Sequence, residues 1–395
     1  MLQRYLSLIS GAGRLILLVT VLAAAPLFGA APPLKPGGGE FGEPRLLLTT
    51  AEGEERRHLS WPKIAKAEDG TLVLAYILSR SHHTEGAPAV SLSRDGGETF
   101  SSPRILRDFG VEKTPDYAHA ANLALGRAEN GDLICLAMAY TPNVSGGPRE
   151  SRIFGWRSTD NGESWREVDT SKLDAHTGSV YGHVFRTEPG VLAVAGHYRP
   201  GSNNDVARTG GIWLSHSRDH GRSWERPRTI SVSDDPLLEP AIWYASGRYW
   251  GLIRHNPAER YRLLNSADGE TWEESVSPVG GGKRLPSPFI VADRYRENIL
   301  YALHTERNPD GPEGYTYLWR KDTEDEGGWE RTGRVLVYPR GEGRHHREGR
   351  DFGYPWMVQL DEHEWFLAFY YGRFVGRNDL WGMRLRPDGK GGANE

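Results

Sequence analysis

The sequence predicts an all-β fold, a six-bladed β-propeller of four-stranded antiparallel blades. Three observations lead there. An eight-residue phrase recurs as Ser93–Phe100, Ser158–Trp165 and Ser217–Trp224, one residue shorter as Ser266–Trp272, and worn at Asp322–Trp329. The copies stand roughly 50–65 residues apart, a spacing that suits one blade each. Pairs of apolar runs joined by tight turns precede the copies, and the folded part shows no long helical pattern. Each phrase makes chemical sense as a turn: Asp and Ser side chains bond nearby backbone, Gly takes a conformation other residues resist, and the aromatic packs back onto the sheet.

The paired runs can be taken in order. Blade one reads Trp61–Lys66 and Thr71–Leu78, and blade two Ala121–Leu125 and Leu133–Ala139. Blade three reads Tyr181–Arg186 and Val191–Gly196, and blade four Pro240–Tyr244 and Tyr249–Ile253. Blade five reads Pro288–Ala292 and Ile299–Leu303, and blade six Pro355–Leu360 and Trp365–Tyr370. Arg45–Thr50 is expected to pair with Asp379–Leu385 and close the ring without open sheet edges.

Composition narrows the function classes. Among 395 residues there are Gly 48, Pro 25, Trp 13 and Tyr 17, as many short strands and turns require. A formal net charge of −4 suggests no nucleic-acid surface. A single cysteine, Cys135, excludes an intrachain disulfide and a cysteine metal cluster. Residues 1–31 carry Arg4, Arg14 and then an uncharged apolar block, which reads as an export signal; an uncleaved anchor is the alternative. Residues 32–44 form a Pro/Gly-rich linker, and 45–395 the propeller. The product is expected to be exported, monomeric and free of cofactor and metal. A glycan is its expected partner, with no nucleic acid, and no membrane beyond the signal segment.

In such blades the phrase joins strands three and four. The start of strand one and the end of strand two then meet at the opposite rim. That rim collects His83 and Glu85, Asn122, His183 and His197, Glu239 and Arg254, Arg307, and Tyr354 and Tyr371. Convergent polar groups around a concavity make this the default site.

Turns of the repeated pattern are called Asp boxes, and on a six-bladed pattern they resemble the sialidase (neuraminidase) superfamily over residues 45–385. Three positions carry the likeness further: Glu239 in Leu-Leu-Glu-Pro, Arg254 in Gly-Leu-Ile-Arg and Tyr354 in Phe-Gly-Tyr-Pro-Trp. The resemblance implies that Tyr354 is a nucleophile, Glu239 its base and Arg254 a substrate anchor. Sialidases are the exception among glycosidases in using Tyr where others use a carboxylate. A free phenol ionises near pH ~10, so the Tyr needs that base, and a nearby Arg would favour the phenolate.

The departures also speak. Where the family begins with Arg-Ile-Pro, this chain has Ser60-Trp61-Pro62, and near Tyr315 the family's third Arg has no counterpart. The family's acid/base Asp is replaced by Glu85, with His82 and His83 beside it and His83 as the rival acid. The carboxylate clamp is thinned to one Arg, which points away from sialic acid itself. Arg56, Arg57, Arg307, Arg344, Arg347 and Arg350 are candidate replacements, because guanidinium binds carboxylate or sulfate bidentately. The leading expectation is an exported exo-α-sialidase-type glycoside hydrolase acting on a terminal acidic sugar. One alternative is a uronate-directed lyase using His183, His197 and Tyr, since histidine suits acid–base work near neutrality. The other is a non-catalytic glycan-binding propeller whose Tyr140, Tyr198, Tyr370 and Tyr371 stack on sugars.

Overall fold

The computed structural model describes residues 34–38, 41–82, 84–112, 117–141, 151–173, 178–198, 210–255, 259–282, 285–307, 313–339 and 350–388. The expected export signal lies outside these residues, as does His83. The described chain is all-β apart from one helical turn, α1 (Phe109–Glu112), and no helix among the described residues is long and apolar enough to cross a membrane.

The strands follow as antiparallel meanders. After β1 (Lys35–Pro36) and β2 (Arg45–Leu48), the first meander is β3 (His58–Lys66), β4 (Leu72–Ser79), β5 (Ala87–Ser93) and β6 (Arg104–Ile105). The next is β7 (His119–Arg127), β8 (Leu133–Tyr140), β9 (Ser151–Ser158) and β10 (Arg166–Glu167). Then come β11 (Ser179–Glu188), β12 (Val191–His197), β13 (Gly211–Ser217) and β14 (Arg228–Val232). These are followed by β15 (Leu237–Ala245), β16 (Arg248–His255), β17 (Arg262–Ser266) and β18 (Glu273–Val276). A further meander joins β19 (Phe289–Ala292), β20 (Ile299–Glu306), β21 (Glu313–Asp322) and β22 (Glu330–Pro339), with β1 on its outer edge. The last joins β23 (Arg350–Gln359), β24 (Trp365–Arg373) and β25 (Asn378–Leu385), and its outer strand is β2 from the other end of the chain, Arg45 opposite Gly382. That pairing matches the expected one.

The first strands of the meanders touch in order: β3 with β7, β7 with β11, β11 with β15, β15 with β19, β19 with β23, and β23 with β3. They are nearly continuous apolar runs because both faces are covered, as the fully buried Trp61, Tyr181, Phe289 and Trp356 illustrate.

One irregularity sets where side chains point. The ladders of β3, β7, β11, β15 and β23 share a slip at an equivalent place, after Ser60, Ala121, Tyr181, Leu238 and Gly353, and β11 slips again after Arg186. At each shared slip a residue takes the left-handed conformation: Trp61 (φ 52°), Asn122 (50°), Gly182 (102°), Glu239 (47°) and Tyr354 (50°). A bulge adds one residue to one strand and re-aims the side chain that sits in it. Proline follows three of these residues, as Pro62, Pro240 and Pro355. Lacking an N–H, it suits a place where the ladder is already broken.

The repeated phrases form the expected turns. Ser217 Oγ donates to Asp219 Oδ1 at 2.8 Å and accepts from Gly221 N at 2.9 Å, and Ser223 donates to both Asp219 oxygens at 2.9 and 2.6 Å. The copies at Ser93, Ser158 and Ser266 repeat the Ser-to-Asp and Gly-to-Ser bonds. Burial opposes the Asp219 charge, but the Ser223 and Ser217 hydrogen bonds outweigh it and hold the carboxyl below its ordinary range. A depressed carboxyl contributes stability that is full above its unfolded value and fades as pH falls. Asp219→Ala is therefore expected to cost about 1–3 kcal/mol in urea unfolding at pH 7. The gap to the parent protein should narrow below about pH 4.

Candidate active site

Two of the bulge residues meet. Tyr354 and Glu239 lie on β23 and β15, which are not neighbours in the order of first strands, yet the Tyr354 hydroxyl donates to Glu239 Oε1 at 2.7 Å. An extended strand alternates its side chains, so the left-handed bulge is what brings both heads to one point. Arg254, at the end of β16, donates through Nη1 to Glu239 Oε2 at 2.8 Å and to Tyr354 Oη at 3.3 Å. Position 254 faces Leu238 in the ladder, so the second strand of the same meander delivers the cation next to the acid. The Glu239 N–H donates to His197 Nδ1 at 3.1 Å, which fixes the carboxyl-bearing backbone and leaves the proton of neutral His197 on Nε2.

The electrostatics follow from burial and from these partners. Burial works against the Glu239 charge, but the adjacent Arg254 charge, its hydrogen bond and the phenol hydrogen bond prevail and hold the carboxyl below its ordinary range. Tyr354 goes the other way. Burial and the Glu239 charge push the phenol up, against the opposing charges of Arg254 and Arg307. Arg254 favours the phenolate, as expected, but burial and the Glu239 charge outweigh it: a buried phenol facing an ionised carboxylate keeps its proton. The resting pair is a neutral phenol bonded to an ionised acceptor.

Arg307 reaches the same place from the end of β20. Its guanidinium is 5.7 Å from the Tyr354 ring centroid and bonds Asp351 Oδ1 and Tyr370 Oη, each at 3.0 Å, as well as the Phe352 carbonyl. Two guanidiniums thus flank the phenol, and the second belongs to Arg307, one of the expected replacement arginines. Both keep about a fifth of their side chain exposed (21 %) while the Glu239 side chain keeps 9 %, so the cations are the groups an incoming anion meets first. Behind them His82 Nδ1 lies 2.9 Å and His58 Nε2 3.8 Å from Asp351 Oδ2. These three atoms lie within 4.8 Å of one another, the spacing of a metal-ligand set, but Arg307 already neutralises Asp351. A divalent ion there would add uncompensated buried charge.

Sequence reasoning missed Lys63. It is fully buried in β3, with Nζ 4.3 Å from the ring centroids of both Tyr181 and Trp356. Burial lowers its ammonium to about 7, opposed by the charge of Glu239. The signal available was a charged residue at an inward position of an otherwise apolar strand.

The other predicted residues divide. Glu85 is half-buried with φ 48°, its N–H bonded to His119 Nδ1 at 3.0 Å, and its carboxylate 3.4 Å from Arg80. Asn122 occupies the bulge of β7, and its side chain donates to Ser179 Oγ at 2.9 Å. His183 is turned into the core, contrary to its expected place at the rim. Its Nε2 bonds the Ile290 carbonyl at 2.9 Å among Trp243, Phe289 and Trp356, and burial lowers the ring to about 3. The slip after Tyr181 reverses which face each following residue occupies, which is the physical reason. Tyr371 likewise packs between Tyr338 and Phe352 and donates to the Pro339 carbonyl at 3.0 Å. Of the replacement arginines, Arg56 is held by Asp108, while Arg344 and Arg347 lie outside the described residues. The cavity of about 760 Å³ is lined by the far ends of the same inner strands, from Ile64 to Lys66 and from Met357 to Gln359, and includes none of Tyr354, Glu239, Arg254 and Arg307.

The BNR repeat-like domain family matches residues 110–363. The chain belongs to this family. No curated protein matches the chain. Among solved structures, one of a protein of unknown function from Dyadobacter fermentans DSM 18053 is similar to 90 % of this chain and 100 % of its own, with TM-score 0.68 and 17 % identity. The Hadza microbial sialidase Hz136 is similar over 84 % of this chain and 66 % of its own, with TM-score 0.60 and 17 % identity. The NanB sialidase from Streptococcus pneumoniae is similar over 88 % and 71 %, with TM-score 0.61 and 12 % identity. The structural likeness to these sialidases, at such identities, concerns the fold.

Lys63 gives a linkage test of this buried cluster. A lysine lowered to about 7 binds its proton less readily folded than unfolded, so stability rises as pH climbs from 7 towards 10. Lys63→Met removes the cost of protonating a buried amine, so it is expected to raise the unfolding free energy at pH 6. The gain should shrink by pH 10, measured by urea unfolding at both values.

Proposed function

We propose that this chain is a six-bladed propeller working as an exported glycoside hydrolase on a terminal acidic sugar. The cyclic contact order of the inner strands and the N-terminal strand added to the last meander support the propeller reading. The contact that carries the function is the 2.7 Å hydrogen bond from Tyr354 to Glu239, with Arg254 touching both.

The chemistry follows from the protonation states. As the Tyr354 oxygen attacks the anomeric carbon, Glu239 takes the phenol proton, so the phenolate never needs to exist free in the buried site. Arg254 and Arg307 face the developing negative charge on the phenol oxygen and the acidic group of the sugar. Glu85 supplies the proton to the departing oxygen; its backbone is fixed by His119, and its half-exposed carboxylate lies 3.4 Å from Arg80. Water then attacks the tyrosyl glycoside with the proton movements reversed. The lyase alternative loses its His pair, since His183 is bound inside the core.

Tyr354→Phe keeps the ring and removes the nucleophile. Turnover of acidic aryl glycosides, sialosides and uronides among them, should fall on the order of 10³-fold or more with the urea midpoint nearly unchanged. Wild-type activity in this variant would end the assignment, and an unsaturated, ultraviolet-absorbing product would mark a lyase instead. A second test uses pH. Because Arg254 holds Glu239 below the ordinary carboxyl range, the acidic limb of kcat/KM should lie lower than that of an unperturbed Glu. In Arg254→Gln that limb should move up by about 1–3 pH units, the usual effect of one close opposite charge.

A further inference from the structure

The far ends of the inner strands gather four cations. Lys66 ends β3, Arg127 ends β7, Arg186 lies near the end of β11, and Arg294 follows β19. All four line the cavity of about 760 Å³. Each comes from a different meander, so the convergence belongs to the fold and not to one basic loop.

The same lining also holds four carboxylates, Glu129, Glu188, Asp293 and Glu297. Burial and the charges of Arg294 and Arg186 lower Arg127 against the charge of Glu68, and burial with the charges of Arg294 and Arg127 lowers Lys66 against that of Asp361. Among the described residues no carboxylate forms an ion pair with Arg127, Arg186 or Arg294, and Lys66 is held by the Leu360 carbonyl. Two of the lining carboxylates have other partners: Glu129 accepts from the Gly190 N–H at 2.7 Å, and Asp293 is bound by Arg296 and Gln359. Three guanidiniums and an ammonium around one concavity, close enough to depress one another and without ion-pair partners of their own, suit an anionic guest.

We propose that this cavity, at the end of the inner strands opposite the Tyr354 cluster, is an oxyanion-binding site that takes a phosphate or sulfate group, free or as a sugar ester. Guanidinium forks match the geometry of such groups. The site does not depend on the hydrolase reading, because it shares no residue with it.

The experiment is calorimetric titration of the full chain with inorganic phosphate, with glucose 6-sulfate and with glucose as the uncharged control, at constant ionic strength. Saturable binding of either anion, and none of glucose, is expected; stronger binding of glucose 6-sulfate than of phosphate would assign the ester as the source. In Arg127→Gln and Arg294→Gln affinity should fall about tenfold or more for each guanidinium removed. Without oxyanion, the same variants should melt at or above the temperature of the parent, because a repulsion has been relieved, and Tyr354-dependent turnover should be unchanged. Absence of saturable binding, binding unaltered in both variants, or a lowered melting temperature in anion-free buffer would overturn the proposal.

Discussion

The structure depends on a buried charge that is matched on every side. Glu239 is ionised in the protein interior, and that is tolerable because the Arg254 guanidinium pairs with it and the Tyr354 hydroxyl bonds to it. Removing the Arg254 charge would leave an uncompensated buried charge, which is far more costly than never having buried it. This constraint ties β15, β16 and β23 together. The phenol keeps its proton for the same reason that it is poised to lose it: its acceptor is already charged and already in contact.

The bulges are the mechanical counterpart. A regular inner strand would send Glu239 and Tyr354 along the alternation of its neighbours, into the packing between meanders. The left-handed residue at each slip turns the head of the strand inward instead. Strain of order 1–3 kcal/mol at each such residue is typical of functional positions. Here it falls at equivalent places in four meanders, on Trp61, Asn122, Glu239 and Tyr354, while in a fifth Gly182 takes the conformation without a Cβ to strain. A scaffold that repeats the device can change its chemistry by changing the residue in the bulge.

The two ends of the inner strands have been put to different uses. At one end acid, phenol and guanidiniums are hydrogen-bonded into a neutral, recessed cluster. At the other, cations from four meanders line a cavity that also holds four carboxylates, none of them ion-paired with Arg127, Arg186 or Arg294 among the described residues. Asp351 adds a third kind of arrangement just behind the first, where a single carboxylate receives Arg307, Tyr370 and the two histidines His58 and His82. That carboxylate locks Arg307 in place beside the Tyr354 ring, so its contribution to the site is one of position.

Much of this was legible in the chain. The repeated Ser-x-Asp-x-Gly phrase announced the turns, since its hydrogen bonds are made within a few residues and need no distant partner. Paired apolar runs announced the strands, and the N-terminal run announced its pairing with Asp379–Leu385. The resemblance carried by Glu239, Arg254 and Tyr354 picked out residues that do meet. What stayed hidden was everything set by the phase of a strand after a slip. His183 and Tyr371 read as rim residues and are packed inside, and Lys63 read as part of an apolar strand and sits between two rings beneath the acid. Arg307 read as an isolated replacement and is fixed by Asp351. Periodicity tells which residues share a face, but a bulge exchanges the faces, and its position is decided by contacts between residues a hundred or more apart. The sequence by itself determined the elements and their repeat; only the tertiary structure decided which side chains face one another, because that choice is made by packing across meanders and not within them.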